Sequence, residues 1–181
     1  QEEPKWSHPP KLRAAERLAA LHRYVDKLAA EGVDSSRNRL RATFFADCSE
    51  GPQENAITFC DAPVGTGKTT AVMANLLSAA ARRKLRRIFI ILPFTNIITQ
   101  SVKVYRQALV LPGERGEDVV AEIHHRADFG DMASRKLTAL WDAPVVVTTA
   151  VAFFETMASA TPSTLRRLQN LPGSAVFLDE A

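Results

Sequence analysis

The chain is poor in cysteine. Cys48 and Cys60 are its only thiols in 181 residues, and their spacing matches no metal-ligand pattern, so they read as reduced, cytoplasmic cysteines. Long hydrophobic runs are also lacking. The most extended, "IFIILPF" and "APVVVTTAVAFF", fall short of the roughly 18 to 20 apolar residues that a bilayer crossing needs, so no membrane span is expected. Nothing at the amino terminus resembles a signal peptide. No internal repeat or low-complexity tract occurs, and there is no His-Asp dipeptide anywhere. Charge of one sign is scarce too. A net charge of +3 and a sequence pI near 9.1 are compatible with a polyanion partner without pointing to one.

What is present is an ordinary globular composition, 46% hydrophobic and 24% charged, long enough for one sizeable core with an appendage. Residues 1 to 10 hold three prolines and read as an extended lead-in. From Lys11 to Glu31, the apolar residues Leu12, Leu18, Leu21, Val25 and Leu28 recur every three or four positions, predicting an amphipathic helix closed by Gly32. A second helix is expected over "SSRNRLRATFFADC", capped by Ser35 or Ser36.

After the loop "SEGPQEN" the texture changes to strand and helix in alternation. The strands are "AITFCDAP", "RRIFIILP", "VVAEIHH", "APVVVTT" and the closing "SAVFLDEA". Between them lie the helical stretches "GKTTAVMANLLSAAARRK", "TNIITQSVKVYRQALVL", "DMASRKLTALW", "AVAFFETMAS" and "PSTLRRLQNL", with "PGERGED" as a polar loop. Near-continuous apolar strands in β-α units predict a mainly parallel sheet with helices on both faces. Ligands of such sheets collect at the carboxyl ends of the strands. A domain rarely ends at the tip of a central strand, so the chain is expected to be a fragment.

One of those ends carries "FCDAPVGTGKTTAVM", residues 59 to 73. A strand-like run breaks into a Gly-Thr-Gly turn and then opens a helix, which predicts a phosphate site built from backbone N–H groups and the positive helix end. The pattern G-x-x-x-x-G-K-[ST] lacks its first glycine, because Ala62 stands there. Residues Ala62, Pro63, Val64, Gly65, Thr66, Gly67, Lys68, Thr69 and Thr70 form the expected ATP-binding stretch. Gly65 and Gly67 allow positive φ, Lys68 reaches the β and γ phosphates, and the Thr69 hydroxyl coordinates Mg²⁺. Asp179 and Glu180 close an apolar strand. There Asp179 can hold Mg²⁺ through water and Glu180 can orient or deprotonate the attacking water, with Lys68 as its catalytic companion. The plainer readings are a glycine turn that merely starts a helix and a solvated acidic strand end.

The leading Ala-Pro of "APVGTGKTT" and the closing "LDEA" resemble the phosphate loop and DExH-type box of superfamily 2 helicases. "LPFTNIITQSVKVYR" is similar to their motif Ia, and "VVVTTAVAFFETM" to the motif at the fourth strand. With "SSRNRLRATFFADC", "LPFTNIITQ" and "NLPGS" added, most of residues 35 to 181 resembles the CRISPR-associated type I helicase-nuclease family. The resemblance implies a RecA-like P-loop NTPase domain of three layers, preceded by a helical segment. It implies residues 1–50 as lead-in and 51–181 as the first RecA-like domain. It also implies ATP with Mg²⁺, single-stranded DNA, an RNA-guided surveillance complex, and a second RecA-like domain and HD nuclease in the same protein. Val64 and Thr66 depart from the commoner Thr and Ser of the family loop.

Weaker signals stay open between two readings. Thr95, Asn96, Gln100, Thr148 and Thr149 follow strand ends and suit nucleic-acid backbone contacts, or helix capping for Thr95 and Thr149. The run "RRKLRR", residues 82 to 87, lies between helix and strand and reads as a solvated face. His124 and His125 would point to opposite faces of a strand and could not share a metal. The alternatives to a CRISPR motor are another DExH helicase or restriction or repair translocase, and a nucleic-acid- or protein-binding fragment without hydrolysis.

Overall fold

The computed structural model describes residues 10–32, 35–51, 55–123, 141–158 and 161–179. Four strands form one all-parallel sheet: β1 (Arg87–Leu92), β2 (Val120–Ile123), β3 (Val145–Thr149) and β4 (Ser174–Leu178), in the order β2-β3-β1-β4. The expected parallel α/β architecture is therefore present. Helices are α1 (Ala14–Glu31), α2 (Ser36–Glu50), α3 (Lys68–Arg83), α4 (Thr95–Leu109), the single turn α5 (Gly116–Val119), α6 (Ala150–Ala158) and α7 (Pro162–Leu168).

Alternation along the strands sorts the core onto two faces. On one, Ile88, Ile90, Leu92, Val145 and Val147 meet Ala71, Met73, Leu77, Ile98, Val102 and Leu109 of α3 and α4, with Leu21 and Phe45 packed behind from α1 and α2. On the other, Phe89, Ile91 and Val146 meet Trp141 and Phe153, whose rings stack 5.8 Å apart and nearly parallel. Both faces of the central strands are thus dry, which is why their sequences are apolar without alternation.

Ser35 caps α2 by accepting from the Asn38 amide at 3.2 Å, which decides between the two serines. Gly32 closes α1 as expected. Three expectations are corrected. "AITFCDAP" forms no strand: residues 57–63 have no ladder partner among the described residues, and Ile57 and Phe59 stand 74% and 94% exposed. Apolar content alone does not make a strand when no neighbour supplies the hydrogen bonds. The loop "PGERGED" contains the α5 turn, which Glu117 and Asp118 support from its first residues. On α1, Leu28 is half-exposed while Arg17 is fully buried. Arg17 is affordable there because it donates to the carbonyls of Leu12, Leu109 and Lys11 and pairs with Glu114. The stretch "DMASRKLTALW" up to residue 140, and His124 and His125, lie outside the described residues.

Candidate nucleotide site

The expected ATP-binding stretch, residues 62–70, leads into α3, and Lys68, Thr69 and Thr70 form the first residues of that helix. Gly67 is the N-cap of α3 with φ 82°, and Gly65 has φ 87°. Both conformations favour glycine. Ala62 is not among the residues with positive φ, so a side chain at the first position of the loop costs nothing. A Cβ built on Gly65 meets no atom within 4 Å, so the turn faces open space. Thr66 is buried and ties the loop to itself, its hydroxyl donating to the Pro63 carbonyl at 2.8 Å. The Thr70 hydroxyl donates to the Gly67 carbonyl at 3.0 Å, a first-turn bond. No side chain caps α3, leaving its first amides free to receive an anion. Val64 is fully exposed at the tip of the turn.

Opposite this helix start is the end of β4. The Asp179 amide donates to the Ile91 carbonyl at 3.0 Å, fixing the residue beside β1. Its carboxylate lies 4.0 Å from Lys68 Nζ, with both side chains partly exposed. The basic and acidic halves of the expected site therefore converge across one opening. Glu180 lies outside the described residues. Among the described residues no group of three or more His, Cys, Asp or Glu could hold a metal ion. A magnesium ion carried on triphosphate oxygens needs only one or two protein groups, so Thr69 and Asp179 fit that role. The glycine conformations, the uncapped helix start and the Lys68–Asp179 opening likewise fit a nucleoside triphosphate.

Two neighbours had no signal in the sequence. Arg41 of α2 reaches the loop and donates from Nε to the Gly65 carbonyl at 2.8 Å. Tyr105 of α4 is buried and donates to the Thr69 carbonyl at 3.4 Å. Burial, and secondarily the charge of Asp179, pushes its hydroxyl above the ordinary phenol range. Cys60 is raised by burial; Lys68 opposes that shift and Asp179 and Asp61 add to it. Contacts from residues distant in the chain follow from helix packing, which periodicity does not report.

A model of the DEAD/DEAH box helicase family matches residues 42–181. The chain belongs to the DEAD/DEAH box helicase family. This makes it a superfamily 2 helicase domain, of an ATP-dependent, nucleic-acid-binding enzyme class. No curated protein matches the chain. Helicases of this family use ATP, typically with Mg²⁺.

The remaining sequence candidates separate. Leu92 of β1 lies opposite Thr149 of β3, so α4 and α6 start from adjacent strand ends. Asn96 and Gln100 are exposed and Thr95 is half-buried in the first two turns of α4. Phe94, not Thr95, occupies the N-cap. Thr149 accepts from the Ala152 amide at 3.1 Å and so caps α6. Thr148 is fully buried, its hydroxyl donating to the Ile123 carbonyl at 3.0 Å. No described helix is long and apolar enough to cross a membrane.

Proposed function

We propose that this domain is the first RecA-like half of an ATP-driven motor on single-stranded DNA, of the CRISPR-associated helicase-nuclease type. The observation that carries the motor reading is the 4.0 Å approach of Lys68 and Asp179 across an uncapped helix start. The CRISPR part rests on the resemblance of "LPFTNIITQ" and "NLPGS" and of the lead-in that forms α2. Residues 1–50 are read as lead-in and 51–181 as the motor domain.

When bound, ATP supplies the phosphoryl group and Mg²⁺ neutralises charge developing on it. Within Ala62 to Thr70, the amides of Gly65, Gly67, Lys68 and Thr69 bind and orient the phosphates, and the Lys68 side chain holds the outer ones. Thr69 and Asp179 would hold the metal, and Glu180 would position the attacking water. Thr95, Asn96, Gln100 and Thr149 offer neutral donors to a nucleic-acid backbone beside the site, with buried Thr148 supporting that edge from beneath. A second RecA-like domain supplies the remaining charge stabilisation, an HD nuclease acts in the same protein, and a surveillance complex delivers the DNA.

The test is ATP hydrolysis by the full-length protein with and without single-stranded DNA. Stimulation by DNA and a fall of roughly 10²- to 10³-fold on Lys68→Ala are expected, the size seen when one preorganised charge donor is removed. Hydrolysis that ignores Lys68 would sink the motor reading. Stimulation by duplex DNA alone would favour the restriction or repair translocase.

A further inference from the structure

A cleft of about 620 Å³ lies at the other end of the molecule from the phosphate loop, between the start of α1 and the end of α3. Arg87, which opens β1, and Asp142, which precedes β3, form its floor, so the cleft belongs to the amino ends of the strands. Its volume is within the range of small-ligand sites. Five basic side chains line it against two acidic ones. Both acids are already engaged: Glu16 with Arg13, and Asp142 with Arg87 at 2.7 Å and Asn170 at 3.1 Å. Lys11 and Lys84 have no carboxylate partner among the described residues. The buried Nε of Arg87 has no hydrogen-bond partner either.

Backbone conformation marks the same place. Among the described residues only Arg13, Lys84 and Trp141 are non-glycine residues with left-handed φ, at 46°, 55° and 58°. Arg13 and Lys84 line the cleft, and Trp141 immediately precedes Asp142, which also does. Lys84 is the C-cap of α3, a position where glycine is the default because a Cβ is disfavoured there. Arg13 is the N-cap of α1 and provides no side-chain cap, and the first helical residues, Ala14 and Ala15, line the cleft. Strained residues held in one place point to a use for their side chains. Burial lowers the Arg87 pKa, and the charge of Asp142 opposes this more than Arg86 adds to it, so the guanidinium stays charged at the cost of partial desolvation.

We propose that this cleft is a second phosphate-binding site, distinct from the Lys68 site, which takes a compact anion carrying several phosphate groups on Lys11, Lys84, Arg86 and Arg87. The inference is independent of the motor reading, since it uses none of the nucleotide-site residues. The anion is either a free polyphosphate or a stretch of nucleic-acid backbone, which present the same oxygens.

The experiment is calorimetric titration of the full chain carrying Lys68→Ala with inorganic tripolyphosphate, repeated after adding Lys84→Gly or Lys11→Ala. Binding is expected in the Lys68→Ala background and should weaken about tenfold in each double variant, the scale of one lost charge-assisted hydrogen bond. Lys84→Gly should meanwhile leave the melting temperature unchanged or raise it, because glycine relieves the left-handed backbone. That separates lost binding from lost folding. Competition by a short single-stranded oligodeoxynucleotide identifies backbone as the source, and absence of competition identifies a free polyphosphate. No binding of tripolyphosphate, or binding indifferent to both lysines, overturns the proposal.

Discussion

At Gly65 the backbone turns through φ 87° into open space, and its carbonyl is held from behind by Arg41 at 2.8 Å. The loop is therefore braced from a helix twenty-four positions earlier in the chain, which also bonds Asn38 through the same guanidinium. Arg41 is exposed, so the bond adds little to global stability. Its effect falls on the shape of a turn whose other tie is the bond from Thr66 to the Pro63 carbonyl. Arg41→Ala should weaken nucleotide binding about three- to tenfold while moving the melting temperature little, and Arg41→Lys should restore only part of the loss, since an ammonium lacks the guanidinium fork. Titration with a fluorescent nucleotide beside a thermal melt checks both; equal affinity in all three proteins would refute the brace. At this scale the glycines and Lys68 were legible because a turn followed by a helix start is local chemistry. The harmless Ala62 was half-legible: its substitution for glycine was visible, and only the backbone shows that nothing there requires φ above zero. Arg41 was not legible, because a lone arginine on a helix carries no sign of what it reaches.

Between elements, the least expected contact is Arg17. Periodicity puts it among the charged residues of α1, yet its side chain is fully buried and bonded to three carbonyls and Glu114. It locks α1 to the end of α4 and to the turn beyond, while Glu114 in turn accepts from the Leu111 amide at 3.0 Å. Removing the cation leaves those acceptors unpaired, so Arg17→Ala should cost about 3–5 kcal/mol. The pair also sets a pH dependence. Burial raises the Glu114 pKa, but hydrogen bonds from Arg17 and the Leu111 amide, with the charges of Arg17 and Arg13, outweigh it and the net shift is downward from 4.5. A depressed carboxyl stabilises the fold above its unfolded pKa, and that contribution fades as pH falls through the folded value. Thermal melts below pH 4.5 should therefore show wild-type stability falling, and Glu114→Gln should begin less stable and fall less steeply. Parallel curves for the two proteins would contradict the linkage. The helix itself was readable from its leucines; the identity of its buried face was not, because a satisfied arginine and an exposed one look alike in sequence.

For the whole molecule, the sheet ends at β4, and no described strand lies beyond it. Val176 and Leu178 on that strand are 43% and 42% exposed, and residues 57–63, which carry no regular secondary structure, present Ile57 and Phe59 to solvent as well. The strand expected over "AITFCDAP" fails for this reason: a parallel pairing is non-local, and sequence shows a segment's suitability for a sheet but not whether a neighbour is at hand. The central strands β1 and β3 were readable because both their faces are buried and they carry unbroken apolar runs, Ile88–Leu92 and Val145–Val147. The consequence is a molecule whose Gly-Thr-Gly turn is preceded by apolar chain with no ladder partner among the described residues. Exposed apolar side chains on a segment without a ladder partner and along an open sheet edge favour self-association. The 181-residue chain should bind the dye ANS in native buffer and sediment increasingly fast as its concentration rises. The double substitution Ile57→Lys and Phe59→Lys should remove about half of the dye signal and the concentration dependence, since two exposed apolar side chains are replaced by charges where no packing is lost. If the double variant matched wild type in both measurements, the apolar surface would lie elsewhere, and the unpaired segment would not govern how the molecule behaves in solution.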